Sequence, residues 1–218
     1  MKVTWLTRAG LLFKSEKATV LVDPSFKDIP RASDICKDLS VDIILLTHEH
    51  KGHADTETLK EILQRAERPV TVLSSYSAYL KVSEIGLSHN YVVMNPHTVW
   101  SEKGITFYSV RAEHSDRTAV GFIIDDGEKT YYASGDTLYN YDVIDEVLEL
   151  VEDGVDYAFL PISGKNNTMN PKDAADFAYE IDAKQAIPIH YGESDSVSAS
   201  DFDYDLAMCI EPFVEYDL

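Results

Sequence analysis

The stretch THEHKGHAD, Thr47–Asp55, decides how the rest of the chain is interpreted. It holds His48, His50 and His53 directly after the apolar run Val41–Leu46. Such a short run of branched side chains predicts a buried strand, in which side chains alternate between the two faces. His48 and His50 are therefore expected to point the same way, and His53 can return to the same point from the following turn. Imidazole is the commonest protein ligand for metals such as zinc, so the stretch predicts a metal site.

Three further candidate ligands also follow predicted strands. They are His114 in SVRAEHSD, Asp136 in YYASGDT and His190 in AIPIHYG. A single histidine at such a place is usually an ordinary surface or core residue. Five histidines and one aspartate, all at strand ends, are poorly explained by chance and favour a metal centre.

With these five histidines and Asp136, the sequence resembles the metallo-β-lactamase-fold hydrolases. Their signature is HxHxDH followed by a distant His, a distant Asp and a last His. The resemblance covers nearly the whole chain. Residues 160–192 are similar to the branch that contains L-ascorbate-6-phosphate lactonase. The resemblance assigns a first metal site to His48, His50 and His114, a second to His53 and His190, and a bridging carboxylate to Asp136.

The resemblance implies an α/β (α+β) fold, an αββα four-layer sandwich of two mixed sheets flanked by helices. It implies a single domain over residues 1–218. The expected activity is metal-dependent hydrolysis, with a metal-activated hydroxide attacking a small ester, lactone or phosphoester. One or two zinc ions are expected, with manganese or iron as other candidates. Asp136, His190 and Asp23 are the candidate catalytic residues.

The sequence departs from the signature at Gly52, where the family has an aspartate that binds the second metal. This puts a two-metal mechanism in doubt, but three histidines plus water still suffice for a catalytic zinc site. Asp55 is a candidate substitute ligand. It is also well placed as the N-cap of a helix over Thr56–Ala66, which is the stronger interpretation.

Asp23 has two interpretations that the sequence does not separate. Its carboxylate can orient a metal-binding histidine through the second ring nitrogen. Alternatively, Asp23 begins a turn before Pro24.

Composition narrows the partners. The net charge of −19 argues against nucleic acid as the substrate, because phosphate backbones require lysine and arginine. No apolar run approaches the roughly 20 residues of a membrane span, and no signal peptide is visible. Two cysteines far apart in sequence fit a reduced, cytoplasmic protein. The expected partner is a small-molecule substrate, and self-association is possible.

Periodicity predicts strands and helices along the whole chain. The predicted strands are Val3–Leu6, Leu11–Phe13, Thr19–Val22, Val41–Thr47, Val70–Leu73, Tyr91–Met94, Ile105–Arg111, Ala119–Ile124, Thr130–Ala133, Tyr157–Pro161 and Ala186–Ile189. The predicted helices are Thr56–Ala66, Ser77–Ile85, Val143–Val151 and Lys172–Ile181. Asp126-Gly127 predicts a hairpin, and Asn170 with Pro171 predicts a helix start.

Three functions remain open from sequence. The first is the metal-dependent hydrolase. The second is a mononuclear iron oxidoreductase on the same fold, because two histidines and a carboxylate also suit iron. The third is a degenerate, non-catalytic metal-binding protein, which Gly52 motivates.

Overall fold

The computed structural model describes residues 1–26, 29–151, 153–192 and 196–218. The chain divides into two units. Unit 1 comprises Met1–Met94 and Glu211–Leu218, and unit 2 comprises Asn95–Ile210.

Unit 1 is built on a seven-stranded mixed sheet. Its strands are β1 (Lys2–Thr7), β2 (Gly10–Lys14), β3 (Thr19–Val22), β4 (Ile43–Leu46), β5 (Thr71–Ser74), β6 (Asn90–Val93) and β13 (Glu215–Asp217), in the order β13-β1-β2-β3-β4-β5-β6. The strands from β3 to β6 run parallel, whereas the neighbours of β1 and β2 are antiparallel. The carboxyl ends of β3, β4 and β5 therefore meet at one edge of the sheet.

Three helices belong to unit 1: α1 (Pro30–Cys36), α2 (Thr56–Arg65) and α3 (Tyr76–Ser83). Helix α2 buries Leu59, Ile62 and Leu63 in the apolar core of this unit. Ser75 begins α3, because its hydroxyl accepts a hydrogen bond from the Ala78 N–H. These helices bury the apolar residues that the strands leave exposed, and leave the β4 carboxyl end to the histidine stretch.

Unit 2 contains a six-stranded mixed sheet. Its strands are β7 (Val99–Glu102), β8 (Ile105–Arg111), β9 (Val120–Asp125), β10 (Thr130–Ala133), β11 (Tyr157–Pro161) and β12 (Gln185–Ile189), in the order β12-β11-β10-β9-β8-β7. Strands β10, β11 and β12 are parallel. The predicted hairpin at Asp126-Gly127 joins the antiparallel strands β9 and β10, with Gly127 at φ 89°.

The described part of unit 2 holds two α-helices, α4 (Tyr141–Leu150) and α5 (Pro171–Glu180), and a short 3-10 helix, Ala199–Asp201. The predicted start of α5 is confirmed. The Asn170 side chain accepts a hydrogen bond from the Asp173 N–H at 2.9 Å, and Pro171 occupies the first turn. Both α-helices pack against Tyr132 and Leu160 in one apolar core, to which α5 contributes Phe177.

The expected fold class, two mixed sheets with accompanying helices, is confirmed. Among the described residues, no helix has the length and apolar character needed to cross a membrane.

Candidate metal centre

The histidine stretch of unit 1 follows β4 and turns back on itself. The N–H groups of His53 and Ala54 both donate to the His50 carbonyl oxygen at 2.9 Å, which closes the turn. The ring centroids of His48 and His53 lie 3.9 Å apart, and those of His48 and His50 lie 4.7 Å apart. His48 and His53 are buried, whereas His50 is exposed. The turn thus gathers the three rings. Strand β4 ends at Leu46, so the turn, and not the alternation of side chains along a strand, brings them together.

A buried carboxylate holds this stretch in place. Asp23, fully buried after β3, accepts from the Thr47 N–H at 2.8 Å and from the Thr47 hydroxyl at 2.6 Å. Its Oδ2 also lies 2.8 Å from Nδ1 of His53. The Asp23 backbone has φ 43°, a conformation that an aspartate adopts at some cost. The neighbouring parallel strands β3 and β4 bring this side chain to the histidine stretch.

This hydrogen-bond network determines which ring nitrogen of His48 and of His53 carries the proton. A carboxylate only accepts, so His53 donates its Nδ1–H to Asp23. The Thr47 hydroxyl gives its proton to Asp23, so its oxygen accepts from Nδ1–H of His48 at 3.0 Å. In both rings Nε2 is then the basic nitrogen, the form in which a histidine coordinates a metal. Ligand atoms of Asp23, His48 and His53 lie within 4.8 Å of one another.

Asp55 is the residue that precedes α2, but its carboxylate is used locally. Its Oδ2 accepts from the Thr58 hydroxyl at 2.7 Å, and the Phe26 N–H donates to the same hydroxyl at 3.0 Å. The expected N-cap hydrogen bond to the backbone is absent, because the side chain bonds to Thr58 instead. In the described part of the chain, Asp55 belongs to no cluster of potential metal ligands.

Gly52 is not required by the shape of the turn. Its φ lies outside the left-handed region. Of the described residues beyond its chain neighbours, a Cβ placed there would approach Arg8 alone, with Cδ at 3.8 Å and Nη1 at 4.0 Å. The backbone would therefore accept a side chain at this position.

In unit 2, Asp136 and His190 come together from two strand ends. Asp136 follows β10 after Gly135 (φ 61°), and His190 follows β12 with its own φ at 55°. Both side chains are buried, and His190 Nε2 lies 3.4 Å from Asp136 Oδ1. The parallel direction of β10 and β12, with β11 between them, brings these two ends to the same edge of the sheet.

His114, the third candidate of unit 2, is half-buried after β8. Its Nδ1 lies 3.2 Å from the Asn167 carbonyl oxygen, so Nδ1 carries the proton and Nε2 is the basic nitrogen. The preceding Glu113 binds the segment after Asp136: its N–H donates to the Thr137 hydroxyl at 3.0 Å, and its carbonyl accepts from the Leu138 N–H at 2.9 Å. These bonds tie the ends of β8 and β10 together.

Sequence reasoning missed two residues that orient the candidate ligands. Thr47 is the last residue of a predicted strand, yet its hydroxyl links His48 to Asp23. Asn167, with φ 61°, contributes only its backbone carbonyl, which no residue-type pattern reveals. Thr47 had a signal in sequence, because a hydroxyl directly before a candidate ligand is a natural hydrogen-bond partner.

Residues 18–191 match the family model described as the beta-lactamase superfamily domain. A UPF0173 metal-dependent hydrolase of Thermoplasma volcanium is 32% identical over 206 residues, which cover 91% of this chain and 87% of the relative.

Solved structures share the fold. Igni18, a metallo hydrolase from the archaeon Ignicoccus hospitalis, matches with a TM-score of 0.81 at 20% identity, covering 100% of this chain and 98% of that one. CmlA, a diiron β-hydroxylase from Streptomyces venezuelae, matches with a TM-score of 0.71 at 19% identity, covering 94% of this chain and 47% of that one. The chain therefore belongs to the beta-lactamase superfamily and, within it, to the UPF0173 metal-dependent hydrolases.

Proposed function

We propose that this member of the beta-lactamase superfamily is a metal-dependent hydrolase acting on a small ester, lactone or phosphoester. One or two zinc ions are the proposed metal, with manganese or iron as other candidates. The proposed ligands are His48, His50, His53, His114, Asp136 and His190.

The observation that carries the proposal is the bonding of Asp23 in unit 1. One buried carboxylate holds His53 directly and His48 through Thr47, and both rings are left with a basic Nε2. Burying a carboxylate and two imidazoles is costly unless their polar atoms are hydrogen-bonded, and this network supplies those hydrogen bonds. A carboxylate behind a ligating histidine orients the ring and raises its basicity, so this donor set fits a divalent metal.

When bound, the metal would supply a hydroxide nucleophile near neutral pH and would polarise the substrate oxygen. The chain's own residues prepare the site for this. Asp23 keeps a proton on Nδ1 of His53, and Thr47 keeps one on Nδ1 of His48, so neither ring has to reorganise. In unit 2, Asp136 would provide negative charge for a bound cation, and His190 lies against it.

The residues at positions 52 and 55 determine how many metal ions we expect the chain to hold. Gly52 offers no ligand, and the Asp55 carboxylate already accepts from Thr58. The proposed second site therefore has one carboxylate fewer than the signature provides. We expect one tightly held ion and a second that binds more weakly.

An oxidoreductase is the main alternative, because the fold also occurs in a diiron β-hydroxylase. Fold alone does not decide between hydrolysis and oxidation. Bound iron with oxygen consumption would favour the oxidoreductase, and bound zinc or manganese would favour the hydrolase.

The location proposed for the chain is the cytoplasm. Both cysteines are free: Cys36 is buried and Cys209 is exposed. Burial raises the pKa of the Cys36 thiol to about 12, so Cys36 is an unreactive core residue and not a redox group.

The test is a hydrolysis screen of small esters, lactones and phosphoesters with the purified chain. We compare it with His48→Ala and with His97→Ala, a matched control whose exposed ring lies 3.4 Å from the Glu146 carboxylate. Hydrolysis should fall by at least about a hundredfold in His48→Ala, because a metal ligand is lost. His97→Ala should keep it. Equal hydrolysis by all three proteins would contradict the proposal.

A further inference from the structure

The turn between β1 and β2 carries an arginine that reaches the histidine stretch of unit 1. The indole N–H of buried Trp5 donates to the carbonyl oxygens of Thr7 and Arg8, at 2.8 and 2.9 Å. This bond fixes the backbone of the turn and therefore the origin of the Arg8 side chain. The side chain extends to Gly52, where Cδ would lie 3.8 Å from an added Cβ.

Gly52 leaves room for this arginine. Its backbone does not need glycine, and among the described residues outside its chain neighbours only Arg8 lies within 4 Å of an added Cβ. The family signature has a carboxylate here, whereas this chain has a guanidinium beside a bare backbone. At this one position a positive side chain therefore stands where the signature has a negative one, while the buried Asp23 carboxylate still contacts His53.

Further positive charge lies on the same stretch. The Lys81 ammonium of α3 donates to the Glu49 carbonyl oxygen, and Lys51 is exposed on the stretch itself. The stretch also carries two acidic residues, Glu49 and Asp55, of which Asp55 is buried and accepts from the Thr58 hydroxyl. The exposed Arg8 and Lys51 and the half-buried Lys81 thus lie on or beside the stretch, in a chain whose net charge is −19.

The Arg8 guanidinium has no hydrogen bond or ion pair with any residue that the structure describes, and the residue is exposed. A guanidinium presents five N–H donors in a planar fork that matches the two oxygens of a carboxylate or phosphate. The Arg8 backbone is held by the Trp5 indole, and no described residue accepts from its guanidinium. Arg8 is therefore suited to hold an anionic group of a bound molecule beside the candidate metal ligands.

We infer that Arg8 binds an anionic group of the substrate, a carboxylate or a phosphate, beside the histidine stretch. This inference rests on the proposed hydrolase function and adds a substrate class to it: esters or lactones that carry a second, negatively charged group. Arg8 is then a residue that determines specificity, while the histidines hold the metal.

The kinetic test compares two esters with the same leaving group, p-nitrophenyl acetate and the p-nitrophenyl monoester of succinic acid. The variants are Arg8→Ala, Arg8→Lys and Arg68→Ala. Arg68 is a matched control, since it is an exposed arginine of unit 1 placed before β5, at the opposite end of the parallel strands. Arg8→Ala should lower the ratio of kcat/KM for the charged ester to that for the neutral ester by about tenfold or more. The ratio for Arg8→Lys should lie between those of the unsubstituted chain and Arg8→Ala. Arg68→Ala should leave the ratio unchanged.

A binding test without turnover separates this inference from the hydrolase proposal. Inorganic phosphate and succinate are titrated in turn into the chelator-treated protein and followed by calorimetry. Weaker binding of either anion by Arg8→Ala than by Arg68→Ala supports the inference, and the more tightly bound anion identifies the preferred group. Equal binding by the two variants, or no binding of either anion, overturns it. Absence of ester hydrolysis with Arg8-dependent anion binding would refute only the hydrolase.

Discussion

The candidate ligands of the two units are arranged by different means. In unit 1 they come from one turn, with His48, His50 and His53 inside six residues. In unit 2 they come from three strand ends, with His114 and His190 separated by most of the unit. One set is local in sequence, and the other exists only because the sheet brings its strands together.

The supporting contacts differ in the same way. In unit 1 a buried side chain, Asp23, orients two histidines. In unit 2 the Asn167 backbone carbonyl orients His114, and His190 takes a positive φ of 55° to reach Asp136. A side-chain network can be removed by one substitution, whereas a backbone arrangement cannot. Unit 1 should therefore be the more sensitive of the two to single substitutions.

The largest expected contrast is in metal content between His48→Ala and His190→Ala. The first removes a ligand from the site whose three histidines are all present, so the tightly held ion should be lost. The second removes a ligand from the site already weakened by Gly52, so one ion per chain should remain. Elemental analysis of both variants, with His97→Ala as control, measures this. Equal loss in both would remove the difference expected between the two proposed sites.

A smaller effect is expected when the ring-orienting carboxylate is changed. Asp23→Asn keeps the shape but cannot accept from both Thr47 and His53 as a carboxylate does, so metal affinity should fall by about 10- to 100-fold. Asp55→Asn is the matched control: it is an equally buried aspartate of unit 1 whose carboxylate accepts from Thr58 and contacts no candidate ligand in the described residues. Competition with a chelator gives the affinities. Equal affinities would show that Asp23 only supports the fold.

The third prediction concerns Gly52→Asp, which restores the signature carboxylate. The position has space for a side chain, so the variant should hold about one more ion per chain if the missing carboxylate limits the second site. Gly52→Asn has nearly the same shape without the charge and should gain less. An unchanged ion count in Gly52→Asp would mean that another group already fills this role, or that Arg8 neutralises the new carboxylate.

The smallest expected effect is on stability and comes from Asp156, a carboxylate of unit 2 that serves the fold. Partial burial alone would raise its pKa, but hydrogen bonds from Thr130 and the Lys184 ammonium outweigh this and lower the pKa below its usual value. A lowered pKa stabilises the fold above the unfolded value of about 3.9, and this contribution is lost as the pH falls below it.

Asp156→Asn should therefore lower the free energy of unfolding by about 1 kcal/mol at pH 7, and the difference should shrink as the pH falls below about 4. Urea unfolding across this range measures it, with the exposed Asp176→Asn as control. A constant difference at every pH would mean that Asp156 does not act through its charge. Metal content should not change, in contrast to Asp23→Asn.

Local patterns predicted most of the elements. Strands such as Thr19–Val22 and Tyr157–Pro161 have the predicted bounds, because continuous apolar runs between polar residues mark buried strands. Among the described residues, four elements were not predicted: α1, β7, β13 and the short 3-10 helix Ala199–Asp201. Helix α1 has no side-chain cap, and β13 is three residues long and pairs with β1 at the far end of the sequence. Such non-local pairing leaves no trace in a local pattern.

The candidate site also has a part that local sequence predicts and a part that only the folded sheet creates. The histidine turn was visible in sequence because its members are neighbours. The role of Thr47 and the approach of Arg8 to Gly52 depend on strands that meet only in the folded sheet. The two interpretations of Asp23 needed side-chain positions, which show its carboxylate on Thr47 and His53.

Elemental analysis of the chain purified without added metal tests the central claim most directly, because the Asp23 network is interpreted as support for metal-binding histidines. We predict at least one tightly held ion per chain, zinc or manganese if the chain is a hydrolase, and none in His48→Ala. An unsubstituted chain that holds no ion, even after incubation with excess zinc, manganese or iron, would contradict the account.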